Sequence, residues 1–568
     1  MSNVFVLIDN KGFFIYNIYI VFLRRLKMLL KSEKIENTAR TTVCILMAII
    51  SCFLLVVSLF QTTGMEIVSE KQSELSRIVE KPEGNESVIY YSDNFLLNVA
   101  VLALCAFVCF ALLPRLSAIK PKAELLLLSA WVLITGIIWV FSAMSAPTYD
   151  SAEVTGAAVE FAKNDFSALS EKYLTYYPFQ LGYVFFNEVL LRIAGIFGEP
   201  KNLIFLEVLN VVFLAISYIA VILINEKITK DARVRHITAF LLALSVQPVL
   251  FCTFLYGIIP GFMFAVWALY FEVLFLENKK KRFAVLSAVF IAVSVTIKSN
   301  YIIVFIAMIA IALVKMIHLK QLLKGVIYCL VLSSLTLSLS PAVKTMYEKR
   351  SGIELGDSIP FISWISIGVS EAYPAPGWFN YGCTIGNFEK NNCDADAAGW
   401  ESLKNVILHS RYMLLFPQYA GDFFYKKTTS QWNETSYQSI WTNQVRDQYA
   451  EQGELASWVC GSGEKLVKQY MDYFAQFIFA ALFFGVLCCF KKKNFMSTAF
   501  LIIILGGFLY HLISEAKSQY SMPYFILMTG FAAYGICCAY DLFISRVPLS
   551  GRLKKFFKPE KKAGKGAL

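Results

Sequence analysis

Apolar residues in this chain come in long runs separated by short polar segments. The runs lie near 43–61, 95–114, 124–144, 203–224, 236–254, 257–276, 283–297, 301–317, 322–341, 472–490, 495–514 and 521–545. A helix crosses a bilayer with about 20 mostly apolar residues, so the pattern predicts an all-α polytopic membrane protein of about twelve transmembrane helices. Three longer polar segments interrupt it, at 62–94, 145–202 and 342–471.

Charge sets the expected orientation. One group of connections carries Arg115, Lys120 and Lys122; then Lys227, Lys230, Arg233 and Arg235; then Lys279, Lys280, Lys281 and Arg282; then Lys315, Lys320 and Lys324; then Lys491, Lys492 and Lys493. The tail adds Arg552, Lys554, Lys555, Lys558, Lys561 and Lys562. If the runs alternate, all of these fall on one side, and an excess of Lys and Arg marks the cytoplasm. Both termini are then inside, and the three long polar segments are outside. The chain divides into a basic N-terminal segment (1–42), a membrane core (43–341) holding the outer loop 145–202, a large outer loop (342–471), three final spans (472–545) and a basic tail (546–568). The first residues lack a small-residue cleavage site, which argues against a signal peptide. An interfacial segment and an upstream extension of a chain starting at Met28 both stay open.

Composition agrees. The chain is 57% hydrophobic and 16% charged, against about 25% charged in soluble domains. In this setting a net charge of +11 reads as membrane orientation rather than nucleic-acid binding. Most of the thirteen Cys lie in apolar runs and none has zinc-site spacing. No GxxxxGK[ST] or GxSxG motif is present.

The chemistry concentrates in AMSAPTYDSAEVTGAAVEFAKNDFSAL, where the chain leaves the third run. Asp150, Glu153, Glu160 and Asp165 follow within it. Ala152, Ala157, Ala158 and Phe161 have helical spacing. After the break at Tyr176-Tyr177-Pro178, residues 179–197 form a second helix, apolar but carrying Gln180, Asn187, Glu188 and Arg192, which suits a helix lying in the interface. A carboxylate at such a boundary caps a helix or serves as a general base; both readings of Asp150 stay open, with Glu153 next.

This layout resembles the GT-C superfamily of integral-membrane glycosyltransferases, in particular bacterial relatives of the protein O-mannosyltransferases and aminoarabinose transferases. The resemblance rests on PTYDSAEV, on YYPFQLGYVFFNEVLLR with Tyr177, Pro178, Gln180 and Gly182, and on topology. It covers residues 120–345, and the rest only by topology. It implies a catalytic acid near the start of the first large outer loop, here Asp150, two helices along the membrane, and a sugar donor on a polyprenyl phosphate. The acceptor would be a cell-envelope glycan or another extracytoplasmic group. Lys298, in TIKSNYII, is expected to meet the donor phosphate; the alternative is a snorkelling anchor. Lys517 beside Tyr520, Tyr256 in TFLYGIIPG, and Arg192 are further candidates. No cofactor is assigned. A divalent cation held by Asp150 and Glu153 stays open.

The large loop carries Trp378, Trp400, Trp432 and Trp441, expected mainly to pack its own core. Cys383 and Cys393 are a candidate disulfide, and Asn85 and Asn433 lie in N-glycosylation patterns. Two other functions compete. A transporter or flippase of lipid-linked glycans would show matching halves with buried charges; Glu272 is one such charge, but no repeat is found. A surface-polysaccharide polymerase or ligase would draw on His409 and Arg411.

Overall fold

A computed structural model describes residues 32–67, 86–198, 202–492, 494–546 and 557. Residues 1–31, Asn85, Lys493 and the tail cations from Arg552 to Lys562 lie outside that set. The longer helices are α1 (Ser32–Phe60), α2 (Phe95–Leu116), α3 (Pro121–Ala143), α4 (Asp150–Ala162), α5 (Leu181–Gly195), α6 (Ile204–Thr229), α7 (Ala232–Leu244), α8 (Ile258–Asn278), α9 (Lys281–Ile297), α10 (Ile302–His318), α11 (Leu322–Ser351), α12 (Ala395–Leu415), α13 (Pro417–Trp432), α14 (Glu464–Cys489), α15 (Ala499–Ile513) and α16 (Met522–Arg546). The one sheet among the described residues is an antiparallel hairpin of β1 (Gln61–Ile67) and β2 (Glu86–Ser92), with Gly64 opposite Ile89.

The fold is that of an all-α polytopic membrane protein. Ten helices among the described residues are long and apolar enough to cross a membrane: α1, α2, α3, α6, α8, α10, α11, α14, α15 and α16. α7 and the Gln247–Thr253 segment, bent by 50°, make an eleventh if they form one span. α9 has 17 residues, about 25 Å at a rise of 1.5 Å per residue, short of the ~30 Å hydrocarbon core. Ten or eleven spans thus stand where the pattern predicts about twelve, and α9, on the 283–297 run, is the one that falls short.

Burial separates central from peripheral helices. On α3, Leu126, Leu127, Trp131, Ile134, Ile138 and Phe141 form an exposed stripe at helical spacing; so large an apolar face belongs in lipid. α16 is the reverse, buried almost throughout from Met522 to Cys537. There Gly535 lies so close to α14 that a Cβ would sit 1.9 Å from the Ala481 carbonyl, the small-residue packing that membrane helices use in place of a hydrophobic drive.

Connections expected on the same side meet. At one end Arg235 pairs with Glu124 and Glu226, Arg233 with Asp541, and Lys315 with Glu36. At the other end the hairpin, α4, α5 and the segment after α11 gather with the turns at 254–257, 298–301 and 514–521. Thr63 bridges Glu434 there, and Lys427 Nζ donates to the carbonyls of Gly368, Leu512 (3.0 Å) and Ser514 (2.9 Å).

Three expectations need correction. The run expected to end at 341 continues as helix through Pro341 to Ser351, because Val343 and Tyr347 bury against α4 and α5. Cys383 and Cys393 are free thiols; Cys383 Sγ faces Ser370 Oγ at 3.5 Å, while Cys393 Sγ faces Tyr176 Oη at 3.8 Å. Asn433 is fully buried, donating to the Gln61 carbonyl at 3.1 Å, so the folded chain offers no glycan acceptor there. Trp378 and Trp432 are core residues, whereas Trp400 is exposed.

Candidate active site

The chain leaves α3 through Met144 in the left-handed region (φ 48°). It is then held by Ala146 N–H on the Asp447 carbonyl (2.7 Å) and Ser145 Oγ on Asn443 Oδ1 (2.9 Å). Tyr149 also has positive φ, 50°, a costly conformation for a bulky residue. It delivers Asp150 to the first position of α4, where the helix dipole favours a carboxylate.

Asp150 is exposed, and it is not the helix cap. The N–H groups of Ser151, Ala152 and Glu153 bond to the carbonyls of Thr148 and Tyr149. The carboxylate instead accepts from Tyr256 Oη at 2.9 Å on Oδ2. Tyr256 Oη in turn accepts from Gln180 Nε2 at 2.7 Å, and Gln180 Nε2 lies 3.5 Å from Tyr173 Oη. Burial and the nearby Asp150 charge push the Tyr256 and Tyr173 phenols well above their ordinary range, so both stay neutral donors. The relay fixes one carboxylate oxygen and leaves the acid open to solvent, the posture a general base needs.

Lys298 sits beside this relay. Its Nζ lies 3.4 Å from the centroid of the Tyr256 ring. The residue is 5% exposed, and Nζ makes no hydrogen bond among the described residues. Burial lowers its amine to about 7, opposed by the Asp150 and Glu515 charges. The turn that carries it is placed by α5: a Cβ on Gly182 would meet the Thr296 carbonyl oxygen at 1.8 Å, so only glycine permits this approach. A buried ammonium without an acceptor, next to an exposed carboxylate, is suited to an incoming anion.

The turn between α15 and α16 completes the group. Burial raises Glu515, with Lys517 opposing and Asp150 adding to the rise. Tyr520 Oη donates to Glu515 Oε2 at 3.3 Å, and Lys517 Nζ lies 5.6 Å from the Phe379 ring centroid.

The remaining candidates distribute unevenly. Glu153, raised by burial and by Glu171 and Asp150, lies one turn along α4. Tyr177 lies at one remove, its ring tilted against Tyr173 at 5.2 Å and Trp364 at 6.0 Å between centroids. Arg192 belongs to a different cluster: it bonds Glu188 (2.9 Å), the Phe161 carbonyl and Asn164, and Glu188 also takes Arg350 and Tyr347. Its partners are those of a brace between α4, α5 and α11, not of the Asp150 group. Among the described residues no group of three or more His, Cys, Asp or Glu is placed to hold a metal ion.

Tyr173 is absent from the residues that the sequence singles out, and Glu515 stands in the last outer turn with no role assigned. Tyr173 stands in KYLTYYP, four residues before the chosen Tyr177, and Glu515 two before Lys517; that proximity was the available signal. No protein-family model matches the sequence, and no curated protein matches it.

Proposed function

We propose that this chain is a membrane glycosyltransferase, of the GT-C kind it resembles, that moves a sugar from a polyprenyl phosphate to a hydroxyl of a cell-envelope glycan or other extracytoplasmic acceptor. The observation that carries the reading is the pairing of an exposed, tyrosine-anchored Asp150 with the largely buried Lys298, whose Nζ lies against the Tyr256 ring and makes no hydrogen bond among the described residues. The acceptor oxygen attacks the anomeric carbon, the bond from that carbon to the phosphate oxygen breaks, and polyprenyl phosphate leaves. Asp150 takes the acceptor proton, a role worth roughly 10²–10⁴-fold. With a single base opposite the leaving group the displacement inverts the anomeric centre. Lys298 and Lys517 neutralise the phosphate, and Gln180, Tyr256 and Tyr520 orient the two charged centres. Both termini then lie in the cytoplasm of a cell-membrane protein, with this site on the outer face.

A second reading has one observation behind it. Glu207 and Glu272 are completely buried in α6 and α8, and their carboxyl oxygens have no hydrogen-bond partner among the described residues, a feature of transport pathways in membranes. Purified protein in vesicles holding a radiolabelled polyprenyl-phosphate sugar separates the two. Transfer of label to added glycan supports the enzyme. Label that crosses the bilayer still attached to its lipid supports the flippase.

A further inference from the structure

α12 is amphipathic in the wrong sense for a helix in water. Its inward face carries Ala398, Ser402, Asn405 and Met413. Ser402 and Asn405 meet the short helix Ile362–Gly368: Ser402 Oγ lies 3.0 Å from Ser363 Oγ, and Asn405 Nδ2 donates to Ser366 Oγ at 2.6 Å and to Ser370 Oγ at 3.0 Å. The outward face carries Trp400, Ile407, Leu408, Leu414 and Leu415, all exposed, Leu414 to 82%. At about 100° per residue these five fall within an arc of about 120°. Between Trp400 and Leu415 only Lys404 and Arg411 interrupt that arc. Exposed Phe416 continues it past the helix end.

A stripe this large calls for a cover, and its position in the fold says which. Gly368 lies so close to the carbonyl of Ile513, the last residue of α15, that a Cβ there would collide with it. α13 follows α12 directly, and its Lys427 Nζ donates to the Leu512 and Ser514 carbonyls. The Trp432 ring of α13 lies 5.5 Å from Phe508, five residues before the end of α15. Its Tyr425 ring lies 6.4 Å from Phe53, seven residues before the end of α1. At 1.5 Å per residue, those contacts are about 7–10 Å inside the ends of two spans. The layer that carries α12 therefore rests on the span ends and reaches below them. Beneath it α15 leaves Leu509 and Ile513 exposed, so the stripe continues an apolar belt that belongs in lipid.

The charges agree. Lys404 pairs with Glu401 at 3.2 Å, both largely exposed, and Arg411 has no acidic partner among the described residues. Long cations set within an apolar stripe suit an interface, where the stem lies along acyl chains and the head reaches phosphate. We propose that α12 is an interfacial helix: its outward stripe lies at the boundary of headgroups and acyl chains in the leaflet on the Asp150 side, and Arg411 and Lys404 engage lipid phosphate. The large segment is then held to the bilayer directly as well as through the spans. This role is independent of the reaction proposed for Asp150.

The test uses the full chain in vesicles of phosphatidylcholine and phosphatidylglycerol that include a phospholipid with a diazirine on its acyl chain. Photolysis and peptide mass spectrometry map the residues that touch lipid, and hydroxyl radicals generated in the water phase map those that touch water. Ile407, Leu408, Leu414 and Leu415 should carry lipid adducts as Ile134 and Ile138 of α3 do, while Tyr381, exposed on the same segment, should be oxidised by the radicals instead. Leu408→Asp combined with Leu415→Asp should lower the α12 adducts by roughly tenfold or more, because a carboxylate resists burial in lipid, and leave those of α3 unchanged. A stripe oxidised from the water side without lipid adducts would overturn the proposal. Protection from both probes would overturn it too, by showing a protein cover such as a second copy, and so would undiminished adducts in the folded double variant. The wild-type map decides the question even if that variant fails to fold.

Discussion

Replacing Lys298 by Met separates function from stability, because the two should move in opposite directions. The methionine keeps the length of the side chain and removes its charge. If Lys298 contacts the donor phosphate, a charge-assisted bond of about 1.5–3 kcal/mol disappears, raising the donor KM roughly 10- to 150-fold at 1.4 kcal/mol per decade. Stability should rise. The amine titrates near 7 in the folded chain against an ordinary 10.5, a difference on the order of 5 kcal/mol between its charged and neutral forms. Below pH 7 the amine is protonated in both states, and the folded state bears the whole cost of burying it. Between pH 7 and 10.5 the unfolded chain holds more protons, so the wild type gains stability as pH rises. The variant should therefore melt above the wild type at pH 6, with the margin closing towards pH 10. Wild-type donor KM should rise above pH 7, as the free enzyme's ammonium deprotonates, and the variant's should not. Donor-saturation kinetics and thermal unfolding at pH 6, 7 and 8.5 read both effects. A well-folded variant with wild-type donor KM refutes the phosphate contact, and equal melting at pH 6 refutes the cost assigned to burial.

Three further substitutions probe the surroundings. Tyr256→Phe removes the donor to Asp150 Oδ2 and the acceptor for Gln180; kcat should fall roughly 10- to 100-fold, as loss of a bond of about 1.5–3 kcal/mol to a charged group requires, and an unchanged kcat would show that the relay does not position the base. Gly182→Ala forces a Cβ onto the Thr296 carbonyl. Overpacking of this kind costs about 1–3 kcal/mol, so the melting temperature should drop and donor KM should rise together as the Lys298 turn shifts; a variant matching the wild type in both would contradict the packing. Lys427→Met strands the carbonyls of Gly368, Leu512 and Ser514. At pH 8, where burial that lowers Lys427 to about 7 leaves a largely neutral amine with two N–H groups for the three carbonyls, the loss should be about 1–3 kcal/mol; unchanged chemical denaturation would show that these bonds do not hold the large segment to the α15–α16 turn.

Much of the membrane architecture was legible because apolar runs are long-range averages that single residues hardly disturb. The exceptions have local causes. The run at 236–254 bends by 50°, where Pro248 follows Ser245 and Gln247. The apolar run ends at 341, but burial of Tyr347 against Phe161 and its bond to Glu188 carry α11 past Pro341. The hairpin was readable in principle from the β-branched and aromatic SVIYYS of β2, yet its pairing with QTTGMEI depends on partners as distant as Glu434 and Lys468.

The site followed a similar division. Asp150 and Gln180, Tyr256, and Lys298 come from three connections that alternation puts on one side, so topology alone suggested that they meet. Arg192 was misplaced because its i, i+4 neighbour Glu188 already claims it, a pairing visible in the sequence. The burial of Glu515 was not visible, since it depends on the packing of α16 and the segment after α11.

The central claim is that Asp150 activates an acceptor for displacement of a lipid phosphate. The most direct test is release of free polyprenyl phosphate from radiolabelled lipid-linked sugar, in the presence of envelope glycan, by wild type and Asp150→Asn purified side by side. The isosteric amide can still accept from Tyr256 but cannot take a proton in the pH range of the assay. Release by the wild type that falls at least about 10²-fold in a folded variant is the expected result. Equal release by the two proteins would contradict the account and move the base elsewhere, first to Glu153.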